Sequence, residues 1–222
     1  MGEWIHLDTA AGPARAWLAR PAKPPRGSVI VLQEIFGVNA HIRAVTDGFA
    51  GHGVVALAPA LFDPVQPDVE LGYGDAGVSR GRELVSELGT DGALQVVTAA
   101  ARWLREASHH PGVVGYCWGG SIAFLANTRL GLPAVSYYGA RTMPFIAEPA
   151  RAALMFHFGG RDASIPADDI ARHRALQPRA EAFVYPEAGH AFNRDIDPIH
   201  FHAASAALAR RRTLAFLAEH TS

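Results

Sequence analysis

Short apolar runs alternate with segments of helical periodicity along most of this chain, and no other feature limits the fold as strongly. The runs are continuous and bounded by turn residues, which is typical of strands covered on both faces. The predicted strands are 28–32, 54–58, 113–114, 134–138, 153–157 and 182–185. The predicted helices are 41–52, 82–88, 92–106, 119–128, 168–176 and 203–219. Strands that alternate with helices need crossover connections, so we expect a mostly parallel sheet with helices on both faces.

The N-terminal segment follows a different pattern. Residues 4–20 alternate apolar and polar side chains around a turn at 10–13, which predicts an antiparallel hairpin at one edge of the sheet. We find no internal repeat and no linker, so the 222 residues are expected to form one three-layer α/β domain, residues 1–222. Ligands of such sheets bind beyond the carboxyl ends of the strands, which is where functional side chains are expected.

The composition argues against several classes of function. Lys and Arg total 20 against 21 Asp and Glu, and the formal net charge of -1 provides no attraction for nucleic acid. Lys23 is the single lysine and lies in a Pro-rich loop, which disfavours Schiff-base and phosphate-binding lysine chemistry. One cysteine permits no internal disulfide, and the acidic start of the chain does not resemble a signal peptide. We therefore expect a soluble, cytoplasmic protein that does not engage membranes.

The segment 113–123 (VVGYCWGGSIA) has the form strand, G-x-C-x-G-G, helix. This is the nucleophile-elbow pattern with cysteine in place of serine. Glycines beside the nucleophile let the strand and the helix approach each other around a strained turn. Cys117 would lie at the start of the helix, whose dipole and N–H groups favour a thiolate. Cys117 is therefore the predicted nucleophile.

Elbow hydrolases carry an acid and then a histidine later in the chain. Asp162 follows the strand predicted at 153–157, and His190 follows the strand predicted at 182–185. We expect Asp162 to accept a hydrogen bond from one ring nitrogen of His190 and to turn the other nitrogen toward Cys117. Four rival carboxylates lie where a solvated or capping role fits better: Asp168, Asp169, Asp195 and Asp197. The remaining histidines show no grouping at metal-ligand spacing, and we assign no metal.

Five segments together resemble the dienelactone hydrolase family: 33–39 (QEIFGVN), 115–120 (GYCWGG), 137–139 (YYG), 159–162 (GGRD) and 189–192 (GHAF). The likeness extends from roughly Ser28 to the C-terminus. It implies an α/β-hydrolase fold and a Cys-His-Asp triad that acts on cyclic unsaturated lactones carrying a carboxylate, in cytoplasmic enzymes of aromatic degradation that use no cofactor. It also implies that Glu34 lies beside Cys117, where a carboxylate can accept the thiol proton. The oxyanion hole of this fold would use the backbone N–H groups of Trp118 and Ile35.

A cysteine nucleophile suits enol-lactones and thioesters, because an expelled enolate is a weak base that needs little acid catalysis. A carboxylate on the substrate would be held by a guanidinium, and the resemblance implies Arg194 for this role. A second family arginine is matched by Arg80 or Arg82, which the sequence does not distinguish. The resemblance also implies a substrate contact by Tyr138. The segment around Arg80 departs from the family pattern, and so does Ala191 after the histidine.

Three functions stay open at this point. The first is a hydrolase of small anionic lactones or activated esters, working as a monomer or a small homo-oligomer. The second is a general carboxylesterase or thioesterase with the same triad, and the third is a ligand-binding sensor without turnover. A G-x-G-x-x-G motif at 72–77 lacks the preceding strand that a dinucleotide site requires. We expect a flexible loop there, suited to act as a lid.

Overall fold

The computed structural model describes residues 2–107 and 109–221. The fold is α/β, as the alternation of apolar runs and helices predicts: eight strands form a mostly parallel sheet in the order β1-β2-β4-β3-β5-β6-β7-β8, with an antiparallel N-terminal pair. In chain order the elements are β1 (Glu3–Thr9), β2 (Gly12–Ala19), β3 (Ser28–Leu32), α1 (Ala40–Gly51), β4 (Val55–Pro59), α2 (Asp75–Glu106), β5 (Pro111–Tyr116), α3 (Trp118–Leu130), β6 (Ala134–Tyr137), a 3₁₀ turn (Met143–Phe145), β7 (Leu154–Gly159), α4 (Ala167–Leu176), β8 (Glu181–Tyr185) and α5 (Ala203–His220). None of these helices has the length and apolar character that crossing a lipid bilayer demands.

The described residues form two compact units, the first of which ends at Gly112 and also includes Thr221. In this unit β1 pairs antiparallel with β2, from Glu3 opposite Leu18 to Thr9 opposite Gly12. Strand β2 pairs antiparallel with β4, which in turn pairs parallel with β3. Every residue of β3 and β4 is buried, whereas most of β1 is not. This difference explains why the first hairpin alternates in polarity and the next strands do not.

Helix α2 differs from the prediction at its start. It consists of two helical stretches joined at Gly89, whose φ of 67° and ψ of 176° interrupt the helix between the two predicted segments. The first stretch begins at Asp75 rather than at residue 82, so part of the predicted flexible loop at 72–77 is helical. An acidic side chain in the first turn favours this start through the helix dipole. The prediction was wrong because it gave more weight to the low helix propensity of the glycines in 72–77 than to this acidic first turn.

The second unit, Val113–His220, contains most of β5 and all of β6, β7 and β8, which pair in parallel in that order. Strands β5, β6 and β7 are buried along their whole length, and β8 is partly exposed. Helix α3 is buried from Trp118 to Thr128. Since the carboxyl ends of parallel strands meet at one edge of a sheet, the residues that follow β5, β7 and β8 share that edge.

Candidate active site

Cys117 occupies the sharp turn between β5 and α3. Its φ of 54° and ψ of -118° lie in a region that non-glycine residues rarely adopt. The turn is tight enough that a Cβ on Gly115 would lie 1.9 Å from the carbonyl oxygen of Gly119, so the strand and the helix could not approach each other with any other residue there. The Cys117 N–H donates to the carbonyl of Tyr137 on β6 (3.0 Å) and fixes the turn to the sheet. Cys117 is partly exposed, which is compatible with the predicted role of nucleophile.

Asp162 and His190 are brought together by the loops that follow β7 and β8. A Cβ on Gly159 would lie 2.5 Å from the carbonyl oxygen of Gly189, which shows how closely the two backbones approach. The Arg161 N–H donates to the carbonyl of Ala188 (2.9 Å) across the same contact. Residues at the ends of two neighbouring strands therefore face each other because glycine lets their loops touch.

The imidazole of His190 joins the acid to the thiol. Its Nδ1–H donates to Oδ2 of Asp162 at 2.7 Å, and the ring also makes a side-chain hydrogen bond with Cys117. The Asp162 side chain is fully buried, and its Oδ1 accepts the N–H of Ser164 at 2.8 Å. Burial acts to lower the pKa of His190, but the hydrogen bonds and charges of Asp162 and Cys117 outweigh it and raise that pKa to about 10. The site therefore favours an imidazolium beside the sulfur at neutral pH.

Two further backbone distortions adjoin the histidine. Tyr138 follows β6 with φ 39°, and Ala191 follows His190 with φ 59°. The Tyr138 ring is fully buried and its centroid lies 4.9 Å from that of the His190 ring. The Tyr138 hydroxyl donates to Oδ1 of Asn193. Tyr138 thus contacts the loop that carries His190, and its predicted contact with substrate stays a prediction.

Glu34 and Ile35, which belong to the first unit, directly follow β3. Both are buried, with Glu34 only 1% exposed. The side chain of Gln33 braces this loop, because its amide donates to the carbonyl of Glu34 (3.3 Å) and its Oε1 accepts the N–H of Leu61 (3.0 Å). A carboxylate is rarely buried to this extent unless it is paired with another group. The predicted roles of Glu34 beside the thiol and of the Ile35 N–H at the oxyanion stay predictions.

The sequence was compared with known proteins and structures. A model of the dienelactone hydrolase family matches residues 14–221. The chain belongs to the dienelactone hydrolase family. It is 34% identical over 223 residues to a carboxymethylenebutenolidase of Pseudomonas putida, an alignment that covers 91% of this chain and 90% of that relative. Dienelactone hydrolases act on ester or lactone bonds, and this chain is a hydrolase of that kind.

Solved structures agree with the family assignment. A crystal structure of a candidate dienelactone hydrolase from Klebsiella pneumoniae superposes with a TM-score of 0.87 at 30% identity, covering 99% of each chain. The dienelactone hydrolase of Anabaena variabilis superposes with a TM-score of 0.73 over 100% of this chain and 99% of its own, but at 14% identity that likeness shows the fold alone.

The arginines predicted to bind substrate in this chain are held in different ways. Arg194 is buried, and its Nη1 lies 3.0 Å from Oδ2 of Asp197. Burial acts to raise the pKa of Asp197, but the hydrogen bonds from His200 and Arg194 lower it overall, so this carboxylate is ionised. In the first unit, Arg80 is partly exposed and pairs with two glutamates and a glutamine: Glu83, Glu87 and Gln66. Arg82 is exposed on α2.

The rival carboxylates have other roles or places. Asp168 and Asp169 lie in the first turn of α4, Asp197 binds Arg194, and Asp195 is exposed. Among the residues that the structure describes, no group of three or more His, Cys, Asp or Glu side chains is arranged so that it could hold a metal ion. Sequence reasoning missed Asn193, because its partner Tyr138 lies 55 positions away and no local pattern links the two.

Proposed function

We propose that this protein is a cysteine-dependent hydrolase that opens small enol-lactones or activated esters through a triad of Cys117, His190 and Asp162. The observation that carries the proposal is the continuous hydrogen-bonded line from the buried Asp162 carboxylate through the His190 imidazole to the Cys117 sulfur. A buried carboxylate, a histidine with a raised pKa and a nucleophile on a strained elbow are the three parts that covalent acyl transfer needs.

In the first half of the reaction the Cys117 thiolate attacks the lactone carbonyl and forms a carbon–sulfur bond. The carbonyl electrons move onto oxygen, and the N–H groups of Trp118 and Ile35 stabilise that negative charge. When the intermediate collapses, the ring carbon–oxygen bond breaks and the enolate leaves. The His190 imidazolium gives its proton to the leaving oxygen, with Asp162 holding the ring in place. The product is a thioester on Cys117, still attached to the opened chain.

In the second half a water molecule attacks the thioester carbonyl. Neutral His190 takes one proton from this water as the new carbon–oxygen bond forms. The carbon–sulfur bond then breaks and the carboxylic acid leaves, which restores the thiolate and the imidazolium, and the acid releases its own proton to solvent to become a carboxylate. Glu34 is assigned a protective role between turnovers: when Cys117 is a thiol, Glu34 accepts its hydrogen bond, so that the oxidation-prone thiolate forms only when substrate arrives.

Lactones with a carboxylate are the substrate class that the relatives suggest, since they are named carboxymethylenebutenolidases. Arg194, and Arg80 or Arg82, would hold that carboxylate. Tyr138 is retained as a candidate substrate contact, and the place of the chain in aromatic degradation is part of the same proposal. The reducing cytoplasm fits a hydrolase whose nucleophile is a thiolate. One domain of 222 residues is proposed to carry all of these groups.

A second candidate function is a carboxylesterase or thioesterase for neutral substrates. The observation in its favour is that Arg194 already pairs with Asp197, and Arg80 with Glu83 and Glu87. An arginine whose charge is balanced attracts an anion less strongly than an isolated one. The triad chemistry is the same for both candidates, and they differ in which substrate is bound.

The test follows the loss of ultraviolet absorbance of a dienelactone and, in parallel, the release of nitrophenol from p-nitrophenyl acetate. The purified wild-type protein is compared with Cys117→Ser, Arg194→Gln and the control Arg129→Gln. Arg129 is a matched control because it is also ion-paired within the second unit, with Glu148 at 2.8 Å. Under the proposal, Cys117→Ser loses both activities by about a thousandfold or more, and Arg194→Gln raises KM for the dienelactone alone.

Each other outcome has a definite meaning. Acetate hydrolysis that needs Cys117, without dienelactone turnover, supports the neutral esterase. Equal effects of Arg194→Gln and Arg129→Gln on dienelactone KM remove the assigned role of Arg194. Undiminished turnover by Cys117→Ser contradicts the cysteine mechanism. Saturable binding of a small acid without turnover of either substrate supports a sensor.

A further inference from the structure

Backbone strain is concentrated around the thiol and the histidine. Among the described residues, four that are not glycine have positive φ, and three of these are Cys117, Tyr138 and Ala191. Strained conformations persist only where the surrounding structure holds them, and they cluster at sites of function. The elbow accounts for Cys117. Tyr138 and Ala191 have no such account, although both lie next to His190.

Tyr138 is fixed from its backbone to its hydroxyl. Its N–H donates to the carbonyl of His157 on β7 (2.8 Å), and its ring packs edge-on against Phe192 with centroids 5.5 Å apart. The same ring lies 4.9 Å from His190 at an interplanar angle of 58°. The hydroxyl reaches Asn193, and none of the side chain is exposed. The hydroxyl and one face of the ring therefore contact the loop that carries the histidine, while the backbone is held by β7.

Asn193 lies in the turn that leaves His190. The turn is closed by the Arg194 N–H, which donates to the carbonyl of Ala191 (2.9 Å), and the chain returns where the His202 N–H donates to the carbonyl of Phe192 (2.9 Å). The Tyr138 hydroxyl thus connects the end of β6, beside the elbow, to the turn that follows the histidine. Movement of this turn would move the imidazole with it.

We propose that Tyr138 and Asn193 form a positioning pair that sets the angle of the His190 imidazole toward Cys117. The ring of Tyr138 supports one side of the imidazole, and its hydroxyl, through Asn193, stops the loop from swinging away. This inference rests on the proposed triad and adds to it two residues that act through the histidine without reacting themselves. It also accounts for the strained backbone of Tyr138, because the side chain must reach His190 and Asn193 from the end of β6.

A positioning role has a kinetic signature. A displaced general acid slows the chemical step, since small errors of geometry cost large factors in rate, whereas substrate binding needs little of that precision. Removing the hydroxyl in Tyr138→Phe, or the acceptor in Asn193→Ala, should therefore lower kcat about tenfold and change KM by less than about twofold. The kcat of the double variant should be no less than about half that of either single variant, because both changes break the same hydrogen bond.

The chain offers a closely matched control in the preceding residue. Tyr137 is also buried, and its hydroxyl also forms a hydrogen bond, with Oγ1 of Thr213 at 2.6 Å. Tyr137→Phe therefore removes a buried hydroxyl from the neighbouring residue, but one whose partner lies outside the loop of His190. We expect it to keep kcat within about twofold of the wild type while losing similar thermal stability.

The experiment measures kcat and KM for p-nitrophenyl acetate from pH 6 to pH 10 for the wild type and the four variants, with thermal unfolding of each. If the pair positions His190, the apparent pKa values given by the two limbs of the pH profile should shift in Tyr138→Phe and Asn193→Ala, because the hydrogen bond between imidazole and thiol is altered. A purely structural role would lower the profile without moving its limbs.

Three results would overturn the inference. The first is an unchanged kcat in Tyr138→Phe, and the second is an equal loss of kcat in Tyr137→Phe. The third is a loss of kcat in the double variant as large as the product of the two single losses. Failure of the triad itself is read separately, from Cys117→Ser. If Cys117→Ser is inactive and Tyr138→Phe is fully active, the proposed function stands and the positioning pair does not.

Discussion

Mild acid should destabilise this protein through a histidine outside the proposed triad. His157 lies in the middle of β7 and none of it is exposed. Its ring nitrogens contact two hydroxyl groups, Nδ1 with Tyr185 at 2.9 Å and Nε2 with Thr213 at 3.1 Å. Burial, and then the charge of Arg212, lower the pKa of His157 to about 3. The folded protein therefore keeps this ring neutral at a pH where the unfolded chain would protonate it.

The size of the effect follows from the two pKa values. The unfolded chain binds a proton on His157 below about pH 6.5, and the folded protein does so only near pH 3. Unfolding takes up a proton in this window, so this stability is complete above pH 6.5 and is lost as the pH falls toward 3. The slope is about 1.4 kcal/mol per pH unit, or about 2 kcal/mol by pH 5 and about 5 kcal/mol by pH 3. Since whole domains are stable by roughly 5–15 kcal/mol, the loss is large enough to drive acid unfolding.

The assay is urea unfolding at pH 7, 6 and 5, followed by tryptophan fluorescence, for the wild type, His157→Gln and the control His52→Gln. His157→Gln should be less stable at pH 7, because glutamine does not fill the space of the ring, but its stability should fall less steeply with acid. The slope should differ from the wild type by about 1.4 kcal/mol per pH unit. His173, whose pKa burial also lowers, is present in every variant and cancels.

Parallel slopes for the wild type and His157→Gln would refute this reasoning, and so would an equal change of slope in His52→Gln. His52 is exposed on the first unit and serves to measure the effect of losing any histidine. The result also matters for the enzymology. An activity loss between pH 5 and pH 3 would combine loss of stability with protonation of the proposed triad, so pH profiles of the site should be measured above pH 5.

Two further changes test the site. Asp162→Asn should lower kcat/KM by about a thousandfold or more, measured with p-nitrophenyl acetate, because the amide neither balances the imidazolium nor fixes its orientation; a loss below tenfold would remove Asp162 from the triad. Gly115→Ala should destabilise the protein by about 3 kcal/mol or more in urea unfolding, because its Cβ would lie 1.9 Å from the Gly119 carbonyl oxygen; wild-type stability would show that the elbow can open.

The parallel strands could be predicted from sequence because burial on both faces leaves a direct mark. Strands β3 and β7 needed only a run of apolar residues between turn signals, and their observed bounds lie within two residues of the predicted ones. The start of α2 could not be predicted in the same way. The glycines around Asp75 indicate a loop when taken alone, and the helix forms there because the tertiary structure overrides a weak local propensity.

The places of Cys117, Asp162 and His190 could also be predicted, since the ends of strands β5, β7 and β8 meet at one edge of the sheet. What the sequence could not supply is the set of partners that hold those residues. Tyr138 and Asn193 are joined by a hydrogen bond, which forms only because the loop after His190 brings Asn193 to the tyrosine. The path of that loop depends on the φ of Ala191, which a single sequence does not reveal. Which side chains of distant loops meet depends on the geometry of the turns, whereas the position of a strand end depends only on the order of strands in the sheet.

The pairing of Arg194 with Asp197 changes what specificity for an anion would mean in this enzyme. An isolated buried guanidinium would attract any carboxylate through its charge, but here the partly buried Asp197 carboxylate lies 3.0 Å away and offsets part of that field. A carboxylate on the substrate would then be recognised by the direction of guanidinium N–H donors as well as by charge, since a guanidinium presents five of them in a rigid fork. At Arg194, selection between an anionic lactone and a neutral ester would therefore rest on the geometry of a fork that Asp197 holds in place.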